Sequence, residues 1–394
     1  MHIGEIYRVG NLMKNWKSML LKDFCIFNAN TYGNKDVWIY VNYLDTGNIT
    51  NNKIEKVQYI DLNKEKLPSR ARRKISYNSI IYSTVRPNQL HYGIIKNIPD
   101  NFLVSTGFVV IDVDEKIADA DFIYYWLSQS SITDKLQAIA EQSTSTYPSI
   151  KVSDLAELEI YLPPLWLQKN ISGILSIIDK KITNNDKINR NLSEQAKFLF
   201  KEKFLDVGCM LLGWKEMTLD DVAVLSAGGD KPEVVSEIRS EECNVPIYSN
   251  GISNEGIYGF TTDAKIMNES VTVSARGTIG FVCLRQEPYV PIVRLISVVP
   301  KENIMTAKFL YLWLESLHIM GTGTTQQQLT VPDFKKTRII VPSIQEIRKF
   351  TDLVNPSYDN ILRNKKENEK LSELRDNLLP KLMSGELDIS DLDI

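Results

Sequence analysis

The chain has 394 residues, 43% of them hydrophobic and 24% charged, the balance of a soluble globular protein and too much for one ordinary core. A net charge of −3 gives no global attraction to a polyanion, so any nucleic-acid surface has to be a local basic patch. The four cysteines, Cys25, Cys209, Cys243 and Cys283, form no C-x-x-C pair, which argues against a disulfide framework or a zinc site.

The first residues, MHIGEIYRVGNLMKNWK, carry no apolar h-region, and no run approaches the roughly 18 apolar residues of a membrane span. No secretory leader and no membrane partner are expected, and a reducing cytoplasm is the expected location. Alternating or β-branched runs follow at VWIYV (37–41), SIIYSTV (79–85) and FVVIDV (108–113), punctuated by Asn, Gly and Pro, and read as strands. A short helix is predicted around FIYYWL (122–127). LPPLWLQKNI (162–171) then offers Pro at the first helical position, and no Pro or Gly interrupts from Ile174 to Leu205. The sequence continues with strands at VTVS (271–274) and IVRLISVV (292–299), a second short helix at FLYLWL (309–314), and a second long helix from VPSIQEIRKF (341–350), which Pro356 is expected to kink or delay.

These elements occur twice. Thr146, Val152, Asp154, Ile160, Pro163, Ile182, Asn185, Lys187, Asn189, Leu192, Ser193, Glu194 and Leu199 recur 179 residues later, from Thr325 to Leu378, without a gap. Upstream, Trp16, Leu21 and Asp23 match Trp214, Leu219 and Asp221 at a shift of 198, and the two YW-type helices match at 187. A kept frame with variable filling is the pattern of two domains adapted to different targets. A twofold protein suits a partner with two half-sites.

Steps of four and three along the first long helix give Ile171, Leu175, Ile178, Ile182, Asn185, Asn189, Leu192, Ala196 and Leu199. The second gives Phe350, Val354, Ser357, Ile361, Asn364, Asn368, Leu371, Arg375 and Leu378. A heptad seam with paired Asn in both copies predicts that the helices pack on each other as an antiparallel coiled coil, the Asn pairs meeting near the centre and fixing register. Two separate amphipathic helices are the alternative. Forty helical residues span about 60 Å, more than one turn of DNA at roughly 35 Å.

Catalytic signatures are missing. The three histidines, His2, His91 and His318, have no metal-like spacing, no phosphate-binding G-x-x-x-x-G-K-[ST] loop is present, and GTGTTQ (321–326) lacks the last glycine of a dinucleotide loop. The chemistry-bearing residues lie instead in basic and amide-rich loops. KEKLPSRARRKISYNS (64–79) carries Arg70, Arg72, Arg73 and Lys74, and STVRPNQLHYG (83–93) carries Arg86, Asn88 and Tyr92. In the second copy, SARGTIG (274–280) sets Arg276 in register with Arg86 and adds Thr278, while PIYSNGISNEGIYG (246–259) offers Ser249 and Asn250. Arg and Lys neutralise phosphate, Arg reads guanine bidentately and Asn suits adenine. Each of these runs could also be a solvated loop or a glycine-rich turn. Two small, polar segments, 141–155 and 321–334, precede the last strand of each copy.

WKSMLLKDF and WKEMTLDDV at the domain starts, STVRPN, LPPLWLQKNISGIL and LSELRDNLLPKLMSGELDI (371–389) together resemble the specificity subunit of type I restriction-modification enzymes, over essentially the whole chain. In the second copy Ile347 stands where the first has Gln168, and Trp166 and Leu167 occupy positions where acidic residues are expected. The resemblance implies an α+β protein of pseudo-twofold symmetry. Its parts would be a first target-recognition domain (1–160), a first conserved helix (161–207), a second target-recognition domain (208–340), and a second conserved helix with tail (341–394). It implies that each domain reads one half of a split, asymmetric sequence in double-stranded DNA. It also implies that the helices set the gap and dock two methyltransferase subunits, with restriction/translocase subunits completing the complex. This chain would be non-catalytic and hold no metal or cofactor. S-adenosylmethionine would belong to the methyltransferase, and ATP and Mg to the restriction subunit. A coiled-coil scaffold that binds proteins but not DNA is the alternative.

Overall fold

The structure, a computed structural model, describes residues 16–33, 35–143, 147–206, 213–321 and 328–389. The expectations on the first fifteen residues, on Cys209 and on the middle of the two polar segments lie outside them. Two compact units result, one of residues 1–183 with 368–394, the other of residues 184–367. Among the described residues the α-helices are α1 (Ala120–Leu127), α2 (Ser130–Glu141), α3 (Val152–Ala156), α4 (Leu165–Phe200), α5 (Leu219–Val222), α6 (Ala307–Ser316), α7 (Val331–Phe334) and α8 (Ile344–Met383).

The repeated domain starts have a local cause. Lys17–Leu20 and Lys215–Thr218 are strands, and the aspartate that follows each turns back as a cap: Asp23 accepts from the Leu20 N–H at 2.9 Å and Asp221 from the Thr218 N–H at 2.8 Å. The Thr218 hydrogen bonds hold the Asp221 carboxyl below the usual carboxylate range. Each strand pairs antiparallel with the last strand of its region, Lys17 opposite Leu162 and Lys215 opposite Val341.

Between these closures both units build the same sheet. In the first unit the order is Cys25–Phe27, Phe108–Val113, Ile80–Ser83, Tyr92–Ile94; in the second it is Ala223–Ala227, Ile296–Pro300, Ser270–Val273, Val282–Arg285, all antiparallel. A second sheet accompanies each. Its orders are Gln58–Asp61, Tyr40–Leu44, Phe102–Ser105, Ala71–Arg73 and Ile257–Thr261, Val245–Tyr248, Val290–Pro291, and each contains one parallel pair. Two predicted strands shift. VWIYV becomes Tyr40–Leu44, leaving Val37 93% exposed, and IVRLISVV begins only at Ile296, because Val293 and Arg294 turn through φ of +50° and +61°. The run predicted as a basic loop contains the strand Ala71–Arg73.

The short aromatic helices are buried nearly all round, α1 in the first unit and α6 in the second. Asp119 caps α1 by accepting from the Phe122 N–H, and α4 is fastened there: Gln168 Oε1 accepts from the Asp119 N–H at 2.9 Å and the Ser172 hydroxyl donates to Asp119 at 2.7 Å. In the second unit Ile347, in place of Gln168, is fully buried and apolar.

The first unit's core takes Leu167, Ile171 and Leu175 from the start of α4 with Leu379, Leu382 and Met383 from the end of α8. The second unit's core takes Ala196 and Phe200 from the end of α4 with Ile347, Phe350, Val354, Tyr358 and Ile361 from the start of α8. Partner numbers fall along α8 as they rise along α4, so the helices are antiparallel in each unit. In the first, Arg375 pairs with Asp179 at 2.9 Å and Asn368 donates to the Ile182 carbonyl at 3.5 Å. In the second, Asn185 donates to Glu367 at 2.7 Å and Asn364 to Asn189 at 2.8 Å. Asn189 and Asn364 meet as expected, and among their partners Asn185 has the Glu367 carboxylate and Asn368 the Ile182 carbonyl.

The seam also needs correction at its far ends. Leu199 is 42% exposed and Phe200 is buried in its place, and past Leu371 the partly buried Leu378 gives way to Leu379. A strict 3.5-residue step drifts against a 3.6-residue helix, so the stripe slips by one. Pro356 does not delay α8, which runs unbroken through it. The buried Val354 and Tyr358 on either side hold the helix against the lost hydrogen bond, and Ser343 with Glu346 forms the capping box at its start.

Burial pushes the Cys25 thiol up to about 12 and the Cys283 thiol up to about 11. Thiolate is then scarce at pH 8, and the thiolate is the reactive form. Cys25→Ser and Cys283→Ser should leave the native labelling rate with a chromogenic disulfide unchanged and remove label only after denaturation. Fast native labelling at either position would contradict this burial.

Candidate nucleic-acid interface

In the first unit the candidate loop grows out of the buried Ile80–Ser83 strand. The Ser83 hydroxyl donates to the Val85 carbonyl and accepts from the Val85 N–H, closing a tight turn. Arg86 follows in the left-handed region, φ +49°, which a non-glycine residue adopts at a cost and which clusters at functional sites. Its N–H donates to the Pro148 carbonyl at 3.0 Å, Pro87 is buried behind it, and its guanidinium lies 5.1 Å from the ring centroid of the exposed Tyr147. Asn88, next along, is exposed.

In the second unit the Ser270–Val273 strand leads into the same construction. Arg276 is the first exposed residue after the six buried ones from Ser270 to Ala275, Gly277 and Gly280 supply φ of +68° and +82°, and the guanidinium donates to Gln328 at 3.0 Å. The segment before the last strand clamps both loops: Ile150 N–H donates to the Thr84 carbonyl, and Leu329 N–H to the Ala275 carbonyl. Thr278 is more structural than expected, its N–H on the Arg276 carbonyl and its hydroxyl oxygen buried.

The run 70–74 does not form one basic patch. Arg70 is exposed on a turn, whereas Arg72 and Arg73 are half-buried neighbours in a strand and so point to opposite faces. Lys74 is committed to Asp36 and lies 5.3 Å from the Trp38 ring centroid; its hydrogen bond holds the Asp36 carboxyl below its ordinary value. Arg70 does join Arg86 through one turn, since the Arg70 carbonyl accepts from Thr106 N–H while Thr84 donates to the Gly107 carbonyl.

Three other expectations change. Tyr92 is 4% exposed, stacked on Tyr82 at 5.4 Å with its hydroxyl on the Ser128 carbonyl, so it belongs to the core. Asn250 spends both ends of its amide on backbone, and Ser249 directs its N–H and hydroxyl to the Gly256 carbonyl. Tyr147 and Gln328, which touch the two arginines, were missed as individuals. Their signal was present, since both lie in the polar segments that recur at the 179-residue shift.

Near the helices of the first unit a cavity of about 540 Å³ is lined by Asn88, Tyr125, Asp179 and Arg375 among others. Tyr125 donates to Asp179 at 2.7 Å and Arg375 pairs with Asp179 and Asp376. Burial works against the Arg375 charge, but these two carboxylates outweigh it and hold the guanidinium above its ordinary value. Among the described residues no group of His, Cys, Asp or Glu could hold a metal ion, and no helix is long and apolar enough to cross a membrane.

Two paired sheets on a divided helical pair, each carrying a clamped arginine loop, define a duplicated recognition protein. Residues 13–194 and 212–373 both match the sequence model of the type I restriction modification DNA specificity domain, and the chain belongs to that family. It is 25% identical to the type I restriction enzyme HindI specificity subunit of Haemophilus influenzae, over 95% of this chain and all of that one. It is 26% identical to the MjaIX specificity subunit of Methanocaldococcus jannaschii, over 69% of this chain and 70% of the other. The fold is that of the type I restriction-modification system S subunit from M. genitalium, with a TM-score of 0.56, 19% identity, and 95% and 97% of the two chains covered. The chain is thus a specificity subunit, the DNA-recognising and non-catalytic component of a type I restriction-modification enzyme, and the scaffold reading without DNA gives way.

Proposed function

We propose that residues 1–160 and 208–340 are two target-recognition domains, each reading one half of a bipartite, asymmetric target in double-stranded DNA, with Arg86 and Arg276 as the matched base-reading side chains. The carrying observation is the duplicated loop: in each unit one exposed arginine leaves a buried central strand and is clamped by the polar segment before the last strand. A rigid support under a single guanidinium suits bidentate readout of guanine better than a floppy basic run does. Arg70, exposed and tied to the same turn as Thr84, suits a phosphate contact, and Asn88 a second polar contact to the duplex.

The stretches 161–207 and 341–394 are assigned to docking two methyltransferase subunits. Those partners bind S-adenosylmethionine and take an adenine out of the stack in each half-site. Restriction/translocase subunits complete the assembly with ATP and Mg. No cofactor is assigned to this chain, and the cytoplasm is the proposed location.

The test uses the assembled methyltransferase. Arg86→Ala should cost roughly 1–3 kcal/mol and relax one position in one half of the methylated sequence, and Arg276→Ala should do the same in the other half. Arg70→Ala should weaken all duplexes alike and reduce the salt slope by about one. Three variants indistinguishable from the parent in affinity, salt dependence and methylated sequence would show that these loops are solvated faces. Changes by Arg86→Ala and Arg276→Ala in the same half would refute independent reading.

A further inference from the structure

We infer that Asn250 is a positioning residue that sets where Arg276 is presented to DNA, so that it determines base choice in the second half-site without touching a base. The inference rests on the reading of Arg276 as a base reader. Asn250 Oδ1 accepts from the Ala275 N–H at 2.7 Å, and Asn250 Nδ2 donates to the Val293 carbonyl at 2.7 Å. One side chain thereby joins the backbone just before Arg276 to the turn at Val293 and Arg294, whose φ of +50° and +61° need such outside support. The Ala275 carbonyl is held too, by the Leu329 N–H at 3.0 Å. With both its polar groups fixed, Ala275 delivers Arg276 at a set point, and Gln328 holds the guanidinium at its far end.

The segment that presents Asn250 is itself anchored. Arg285, buried, lies with its guanidinium 3.5 Å from the Tyr248 ring centroid and donates to the Glu255 carbonyl at 2.7 Å, and Glu255 pairs with Lys365 of α8 at 2.6 Å. At the neck of the loop, Ser249 N–H donates to the Gly256 carbonyl at 2.8 Å, and a Cβ on Gly256 would come 2.3 Å from the Ser249 oxygen. A base-reading Asn needs a free amide edge. Here the amide oxygen and one of the amide N–H groups are already engaged in holding the neighbouring backbone.

The experiment compares Asn250→Ala, Asn250→Asp, Arg276→Ala and the Asn250→Ala/Arg276→Ala double variant in the assembled methyltransferase, on duplexes varied one base pair at a time. Asn250→Ala should lower discrimination about fivefold at the same position that Arg276→Ala relaxes. It should add nothing in the double variant, because both act through one side chain. Asn250→Asp keeps the acceptor for Ala275 and should retain more discrimination than Asn250→Ala. Hydrogen exchange at the Ala275 amide should speed up in Asn250→Ala, a readout that needs no DNA. Independent, multiplying effects on discrimination, an equal weakening of every duplex, or an unchanged Ala275 amide would overturn the inference. So would a silent Asn250→Ala beside an effective Arg276→Ala. An ineffective Arg276→Ala would overturn the reading of Arg276 and this inference with it.

Discussion

A chain ending at Glu367 is expected to lose the first unit while keeping the second. The residues removed include Leu379, Leu382, Met383 and Ile389, all buried in the core that also holds Ile80, Tyr82, Val109 and Ile171. Burying a side chain of that size is worth roughly 1.5–3 kcal/mol. Four of them amount to about 6–12 kcal/mol, on the order of the whole stability of a domain. The second unit ends at Glu367 and loses none of its own core. Limited proteolysis of the shortened chain should therefore digest residues 17–183 first and leave a fragment close to 184–367. Leu374→Ala, at a 48% exposed position in the removed stretch, serves as the control and should change stability by no more than about 0.5 kcal/mol. A protease-resistant 17–183 in the shortened chain would show that the C-terminal helix is an accessory to that core. The functional counterpart is loss of one half-site's recognition, since the unit that carries Arg86 no longer holds its loop.

Phe350→Ala should be the most damaging single substitution in the second unit. Phe350 is fully buried, with ring centroids of Phe204, Phe200 and Phe309 at 5.1, 5.7 and 6.3 Å, two of the three contacts edge-on at 89° and the third at 65°. Four elements meet there: the end of α4 with Phe200, the π-helical turn Lys201–Leu205 with Phe204, α6 with Phe309 and the start of α8. Truncating a buried Phe costs about 3–5 kcal/mol, because the cavity relaxes only in part. Leu353→Ala, one turn on and 57% exposed, should be nearly neutral. Urea unfolding followed by tryptophan fluorescence measures both, since Trp313 stacks edge-on against Phe200. A loss below about 1 kcal/mol for Phe350→Ala would mean that the aromatic cluster is not the keystone its geometry indicates.

The candidate site was only half legible in the sequence. Arg86 and Arg276 could be matched because the repeat keeps register around their strands, and both lie exposed where the match put them. Tyr92 and Asn250 looked equally suitable by residue type, yet one is core and the other a brace. A polar or aromatic side chain in a loop-like run can face solvent, a neighbouring backbone or the core, and residue type alone does not choose. The 70–74 run shows the same limit: charge density was visible, but the pleat that splits Arg72 from Arg73 and the carboxylate of Asp36 that takes Lys74 were not.

By itself the sequence determined the duplication, the two long helices with Asn in their seam, the aromatic helices and the family, because periodicity, capping residues and internal repeats are local or translational signals that survive in one dimension. Only the tertiary structure decided that the first unit is discontinuous, with Leu379, Leu382, Met383 and Ile389 completing a core that begins at Leu21. It also decided that Asn185 meets Glu367 and that the seam slips from Leu199 to Phe200. These are long-range choices. Several partners lie within one helical step of each other, and which of them is buried depends on how the whole surface of α4 and α8 packs against the sheets and short helices around it.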